Sequence, residues 1–429
     1  MKKLMAVLMI LAVTTFLSAC GGGGGGSSSP PSGVLTVNVT QAGSDPFTKI
    51  QGARVTVING DTGDVVNVLT TDANGAASVT LPIGQVLLKV SAQGYEPSPS
   101  PLGSPLPFTI QSKITTTANI QLDVLSGAET LGSISGKALN NTSFGLANAL
   151  VVATDGASWY STATAPDGSY ILFNLPAGSF TVTALRSGFN FPDSTPTVTA
   201  SLPTPGIDIV ASSAAVATIS GTVTFLAAPN SVVDVTLIHP ETGEVIPGLS
   251  TFIDASTRSY TLNTVPDGTF IAIGSLNTDG YVLDPDSVVK FGEPKVTVLG
   301  GVVYPFVNGV QTVSPGNLNF DVTGAVTLLP PVIAAGTVTF KWNAYPSTKN
   351  YILEVTDENG NFVWGGKVPV AGSDYTVGTA TQFTYPATAP ALNGTYRLHV
   401  NASVDSNVAP FYTLISATED LEGVFTVVP

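Results

Sequence analysis

The chain has 429 residues, with 44 glycines, 31 prolines and only 10% charged side chains. At this length the soft expectation is three or four domains, and the mixture is too apolar for a disordered polymer but suits many short strands joined by turns. The formal net charge of −14, from 29 acidic and 15 basic side chains, repels phosphate backbones, so nucleic acid is not an expected partner, and it favours solubility.

Met1-Lys2-Lys3 is a short positive segment, and residues 4–16 are apolar. That run falls short of the roughly 20 residues a spanning helix needs, so residues 1–19 read as a cleaved signal peptide. The segment ends Leu17-Ser18-Ala19-Cys20, and Cys20 is the single cysteine of the chain. This order resembles the bacterial lipobox. The resemblance implies that Cys20 is diacylated on sulfur, becomes the first mature residue and is N-acylated. Several acyl chains would then anchor the protein stably in a membrane. Gly21 follows Cys20 where an inner-membrane retention signal would have Asp, so the resemblance implies an outer-membrane lipoprotein of the cell envelope, on either side of that membrane. Losing Lys2 and Lys3 with the leader leaves 13 basic against 29 acidic residues, a net charge of −16. One cysteine permits no intramolecular disulfide, so the modules must be held by packing alone. Residues 20–33 comprise Cys20 and a Gly/Ser/Pro run that behaves as a flexible tether.

The centre of the chain repeats one pattern. Its fullest copy is Pro166-Asp167-Gly168-Ser169-Tyr170 followed by Leu175-Pro176-Ala177-Gly178 and then Phe180, Val182 and Ala184 alternating with polar residues. Asp-Gly supplies the positive φ of a hairpin, Pro-x-Gly supplies a second reversal, and the alternation has the period of a half-buried strand. An earlier copy has Asp72-Ala73-Asn74-Gly75, Leu81-Pro82-Ile83-Gly84 and alternating Val86, Leu88 and Val90 before Gly94-Tyr95. A later copy has Tyr260, Val265-Pro266-Asp267-Gly268 and Gly280-Tyr281. There Ser256-Thr257-Arg258 replaces the Asp-Gly turn, and an insertion over 288–309 lengthens the copy. Pro82, Pro176 and Pro266 recur at about 90-residue intervals, which defines repeats at 34–125, 131–212 and 216–325.

These copies resemble the carboxypeptidase regulatory-like family and its Cna-B relatives, whose modules are transthyretin-like β-sandwiches. The resemblance implies spacers, stalks or binding modules of exported bacterial proteins. Some Cna-B relatives carry a Lys–Asn isopeptide bond promoted by a buried acid. Lys89 lies on a predicted strand, but no Glu stands at the matching place after Val90, so Lys89 is expected to face solvent.

After Pro330-Pro331 the pattern changes. Phe340 and Trp342 share one face of a strand, Tyr351 to Val355 form the next, and Tyr396-Arg397-Leu398-His399-Val400 another. Residues 328–429 resemble a fibronectin type III domain, with Trp342 as its core tryptophan and Tyr396 as its tyrosine corner. The Arg-Gly-Asp adhesion tripeptide of that family is absent.

Catalytic and metal signatures are weak. His239 and His399 lie in different modules, and no Gly-x-Ser-x-Gly or His-Glu-x-x-His motif occurs. His399 alternates with Leu398 and Val400 and so should point outward, and His239 precedes Pro240 at a turn. Asp193, Asp284 and Asp286 sit in Pro-flanked turns, where turn chemistry accounts for them. Asp357, Asn359 and Asn361 alternate like a calcium loop, but the glycine falls at the fourth position and the distal Glu is missing, so a hairpin turn is expected. Trp159-Tyr160, read as a loop between strands, is an aromatic pair that could contact a ligand, whereas Trp364 reads as core.

The sequence therefore specifies an all-β chain of tandem Ig-like or transthyretin-like β-sandwich domains in an extended array, without catalytic residues, metal or cofactor. The expected function is a non-enzymatic, lipid-anchored envelope protein whose stalk presents a binding or adhesion surface. The alternative is a carbohydrate-binding accessory lipoprotein of a polysaccharide-processing system. Its partners would be the membrane, through lipid on Cys20, and a protein or polysaccharide.

Overall fold

A computed structural model describes residues 30–427, apart from 45–46, 61–62, 100–106, 226–232, 254–256, 277–294, 308–309, 313, 323–324, 335–336, 358–360, 367–369, 371, 405–413 and 419–422. The leader, Cys20 and most of the tether lie outside the described residues, as do Gly280-Tyr281, Asp284, Asp286 and part of the 288–309 insertion. Among the described residues every regular element is a strand except one 3₁₀ turn at Ala128–Thr130. No helix among the described residues is long and apolar enough to cross a membrane.

The three repeats share one strand plan. The first strand (Ser32–Gln41, Gly132–Leu139, Ala217–Phe225) lies between two partners. It pairs antiparallel with the fourth strand (Ala76–Pro82, Ser169–Leu175, Ser259–Val265). On its other side it runs parallel to the closing segment, which is Thr115–Leu122, Ile209–Val210 or Phe320–Val322. The opposing sheet centres on the second strand (Arg54–Asn59, Leu150–Thr154, Val233–Ile238). That strand is flanked by the third (Val65–Thr70, Trp159–Ala163, Val245–Phe252) and the fifth (Gly84–Ser91, Thr181–Leu185, Gly268–Leu276). In the first strand of repeat 1, Leu35, Val37 and Val39 are fully buried and alternate with half-buried polar residues, the period-2 pattern of a sheet with one face on a core.

The recurring turn letters have a backbone reason. The Pro-x-Gly glycines Gly84, Gly178 and Gly268 have φ of 145°, 155° and 151°, a region open to glycine and closed to side chains with a Cβ. Gly75 and Gly168, at φ 69° and 81°, end the Asp/Asn-Gly turns. Their equivalent in repeat 3 is Arg258, at φ 55°, so the chain makes the same turn there without the residue best suited to it.

A second recurrence concerns volume. Gly136 and Gly221 on the first strands face Tyr170 and Tyr260 on the fourth. A Cβ on either glycine would lie 2.0 Å or 1.8 Å from the carbonyl oxygen of Ile207 or Leu318. The tyrosine fills the space across the ladder, and its hydroxyl donates to that same carbonyl at 2.6 Å in both repeats. Burial raises both phenols well above the ordinary tyrosine value. Repeat 1 reverses the pair, with Val37 on the first strand facing Ala77 on the fourth.

Each sandwich has its own buried cluster, but the clusters of repeats 2 and 3 adjoin. Val151 and Ala153 face the core of repeat 2, while Leu150, Val152 and Leu185 pack into the core of repeat 3 with Val235, Leu237 and Leu249. Leu150 to Ala153 is accordingly an unbroken apolar run buried on both faces.

The last domain sets a three-stranded sheet (Leu328–Ala334, Thr337–Trp342, Gln382–Thr384) against one built on Asn350–Asp357 and Gly394–Ser403. Phe340 and Trp342 are both in its core, with Trp342 edge-on to Tyr351 at 5.4 Å. The Tyr396 hydroxyl accepts the Asn393 backbone N–H at 3.0 Å.

Candidate binding surfaces at the repeat joints and in the last domain

Successive repeats meet through one device used twice. In repeats 2 and 3 the ladder between first and fourth strands carries a β-bulge, between Leu172 and Leu175 and between Leu262 and Val265 respectively. The bulges hold Asn174 and Thr264 at φ 60° and 54°. Onto each docks the Gly-aromatic turn of the preceding repeat. Gly94 donates its N–H to Asn174 Oδ1 at 2.8 Å, and Asn174 Nδ2 donates to Ala92 O and Tyr95 O at 3.1 and 2.9 Å. Gly188 donates to Thr264 O at 2.8 Å, and the Ser187 and Thr264 hydroxyls are 2.7 Å apart. Repeat 1 has no bulge at Thr80, the equivalent residue, and its ladder runs in register from Ser32–Pro82 to Asn38–Ala76.

Other contacts add to these joints. Arg54 is buried, and its Nη2 donates to Ala163 O and Ser169 O of repeat 2 at 2.9 and 2.8 Å. Burial pulls its guanidinium down to about 10, partly offset by the charge of Asp167. At the second joint Asn190 Oδ1 accepts the Asp267 N–H. The Asp267 carboxylate accepts both N–H groups of the Gly300-Gly301 turn at 3.0 Å and so fixes the tip of the hairpin Lys295–Leu299 and Val302–Val307, the described part of the insertion.

Repeats 1 and 3 also touch. Lys89 Nζ lies 2.7 Å from Glu244 Oε2, and the Gly248 N–H donates to Asp64 Oδ1 at 3.3 Å. The solvent-facing reading of Lys89 therefore gives way to an ion pair between repeats. The physical cause is the adjoining cores of repeats 2 and 3, which bring the 239–248 hairpin beside the second sheet of repeat 1.

Trp159 and Tyr160 lie at this junction on a strand, Trp159–Ala163, and not in a loop. The strand forms because Asp155-Gly156 closes a turn that lets Trp159 pair with Thr154. Neighbouring strand residues point to opposite faces, so the two rings form no common platform. Trp159 is 40% exposed and leans on His239 of repeat 3, with ring centroids 5.1 Å apart at 56°. Tyr160 turns inward and meets Phe180 edge-on at 5.9 Å. His239 is buried, and burial pushes its imidazole below the ordinary value, partly offset by Glu241 and Glu244. His399 lies on the face opposite Leu398 and Val400, as the alternation predicts, yet that face is buried as well and shares its cover with Glu354 and Arg397. Asp357 Oδ1 accepts the Asn361 N–H at 2.8 Å, and Asn359 between them lies outside the described residues. Among the described residues no three His, Cys, Asp or Glu side chains gather as a metal site.

A groove of about 350 Å³ beside Trp364 in the last domain is also not legible in the sequence. Trp364 is nearly buried, and its ring lies parallel to Phe383 at 5.6 Å and edge-on to Tyr385 at 5.2 Å. Its indole Nε1–H points to Asp374 Oδ2 at 3.4 Å. Asp374 and Tyr375 are too far along the chain from any strand pattern to be recognised in advance as its walls.

Residues 34–123, the first repeat, match the carboxypeptidase regulatory-like domain family. No curated protein matches the chain. Among solved structures, the streptococcal ancillary pilin is similar at 14% identity over 43% of this chain and 63% of its own, with a TM-score of 0.19, so this chain spans less than two thirds of that protein. The shaft pilin spaA of Lactobacillus rhamnosus GG is similar at 12% identity over 42% of this chain and 97% of its own, with a TM-score of 0.19. The TIE protein of Bacillus anthracis is similar at 13% identity over 92% of this chain and 74% of its own, with a TM-score of 0.18. Scores and identities this low say nothing about function.

Proposed function

We propose that this chain is a non-enzymatic, lipid-anchored protein of the cell envelope, whose interlocked sandwiches hold the last domain as a binding or adhesion surface. The observation that carries the reading is the repeated joint: Asn174 and Thr264 fix each repeat on its predecessor by direct hydrogen bonds, as a structural spacer requires. Flexible linkers would leave the modules free to reorient. Lipidation of Cys20 supplies the anchor and the glycine run the leash. The last sandwich reads as fibronectin type III-like, supported by the buried Trp342 and the Tyr396 corner.

Two measurements on intact cells test the proposal. Cys20→Ala should move the protein from the membrane fraction to the soluble fraction. Added protease should cut the last domain before the repeats if that domain faces outward. Retention of Cys20→Ala in membranes would refute the anchor.

A further inference from the structure

We propose that repeat 1 is a tension clamp, a sandwich that stays folded under a pull along the chain strong enough to open repeat 2. The proposal rests on the reading above, since an anchor at Cys20 and a load on the last domain put the chain between them under tension. Domains joined in series carry the same tension, so the one whose strands separate most easily yields first. The first and closing strands of repeat 1, Ser32–Gln41 and Thr115–Leu122, are adjacent and parallel. The chain enters at the start of one and leaves at the end of the other. Tension therefore drags the two strands past each other along their length, and every rung between them resists at once. Were they antiparallel, the same pull would act at one end and open the rungs singly.

The ladder runs unbroken from Val34–Thr115 to Gln41–Leu122, eight consecutive pairs. Val34 donates to Ile114 O at 3.0 Å and Ala42 to Leu122 O at 2.9 Å. Alternation from these two ends sets the backbone groups of residues 34, 36, 38 and 40 against those of 116, 118 and 120. Asn38 Nδ2 adds a side-chain bond to Asn119 Oδ1 at 2.9 Å. At the entry, Ser32 O accepts the Lys113 N–H, and Gly33 lies so close to that turn that a Cβ would be 2.2 Å from Gln111 O. At the exit, Asp123 O accepts the Glu96 N–H and Leu125 donates to Gly94 O. On its other side the first strand runs without a bulge against Ala76–Pro82.

Repeat 2 follows the same plan with neither side continuous. Its parallel ladder comes in two pieces, Ser133–Pro203 with Ile134–Thr204, and Ala138–Ile209 with Leu139–Val210. Pro205 and Gly206, the latter at φ 77°, part the two pieces, and the Ile207 N–H to Ser135 O bond lies between them. Its antiparallel ladder is broken by the bulge that holds Asn174. The socket that locks repeat 2 onto repeat 1 thus interrupts the very sheet through which repeat 2 takes the load.

The test is single-molecule force spectroscopy on residues 20–429 produced without the leader. Cys20, the single cysteine, then carries one handle and a C-terminal tag the other. At roughly 3.4 Å per residue, residues 34–122 release about 30 nm of chain and residues 132–210 about 27 nm, which tells the two repeats apart. If repeat 3, whose core adjoins that of repeat 2, leaves with it, the joint step is about 65 nm. Repeat 2 should open first, and the 30-nm step should follow at about twofold higher force, as eight unbroken pairs compare with four. Thr116→Pro removes an N–H that faces the first strand and should bring the 30-nm step down to the force that opens repeat 2. A 30-nm step at or below that force in the wild type, or one that Thr116→Pro leaves unchanged, would overturn the clamp. The wild-type order alone decides if the variant lacks the step. Release of Cys20→Ala from membranes does not depend on these forces, so failure of the clamp and failure of the anchor are separable.

Discussion

Asn174 Oδ1 accepts the backbone N–H of Gly94 at 2.8 Å, joining residues 80 apart across the boundary between the first two repeats. The same side chain also donates to two carbonyls of that turn, so one residue closes three groups of the preceding module. Asn174→Gly keeps the backbone free to adopt φ 60° and removes only the side-chain bonds. It should lower stability by about 1–3 kcal/mol in urea denaturation and speed proteolysis around residues 92–98. Unchanged stability would mean that the joint is held elsewhere.

Tyr170→Phe and Tyr260→Phe should cost about 1–2 kcal/mol each, because each leaves a buried carbonyl, Ile207 O or Leu318 O, without its donor. The two sites occupy equivalent positions in different modules, so the losses should be similar and, at that distance, additive. Thermal melts of both single variants and the double variant check this.

Asp234 gives a pH signature. It is buried in repeat 3, and burial together with the charge of Asp64 pushes its carboxyl up to about 7. Its folded value therefore lies above its unfolded one, and the folded state binds the extra proton between the two. Stability should fall as pH rises from about 4 to 7 and level off above. Asp234→Asn should flatten that slope and raise stability at pH 8. A urea midpoint for the variant that still falls across this window would assign the slope to another group.

The Lys89–Glu244 pair is partly exposed, at 38% and 25% of the side-chain surface. A double-mutant cycle with Lys89→Met and Glu244→Gln should give a coupling of about 0.5–1 kcal/mol that shrinks with added salt. The repeat 1–3 contact should nevertheless persist, because Gly248–Asp64 is left intact. Crosslinking across 89 and 244 after cysteine replacement would detect separation.

Turn chemistry was legible because it is local. Asp-Gly and Pro-x-Gly each demand a backbone angle that few residues provide, so Gly168 and Gly178 announce their strands without help from distant residues. The Gly-aromatic letters at Gly94-Tyr95 and Gly188-Phe189 were visible too, but their purpose was not, since each is completed by a residue in the next module. The same limit applies to His399: alternation gives its face, whereas whether that face is covered depends on tertiary packing. Trp159 reads as a loop residue from the sequence because its strand is short and follows a turn at Asp155-Gly156, and its contact with His239 spans 80 positions. The groove at Trp364 is not legible because Trp364 reads correctly as a core residue, and Asp374 and Tyr375 reach it from a segment outside any strand pattern.

The bulge is confined to the two repeats that have a predecessor. Repeat 1, whose ladder runs unbroken past Thr80, offers no socket for another Gly-aromatic turn. The modules are therefore not interchangeable beads. Moved to the front of the chain, repeat 2 would expose the Asn174 socket with nothing to fill it, and repeat 1 moved inward would interrupt the line of joints. The order of the copies is written into a single inserted residue per repeat, which gives the array a direction and a defined first member.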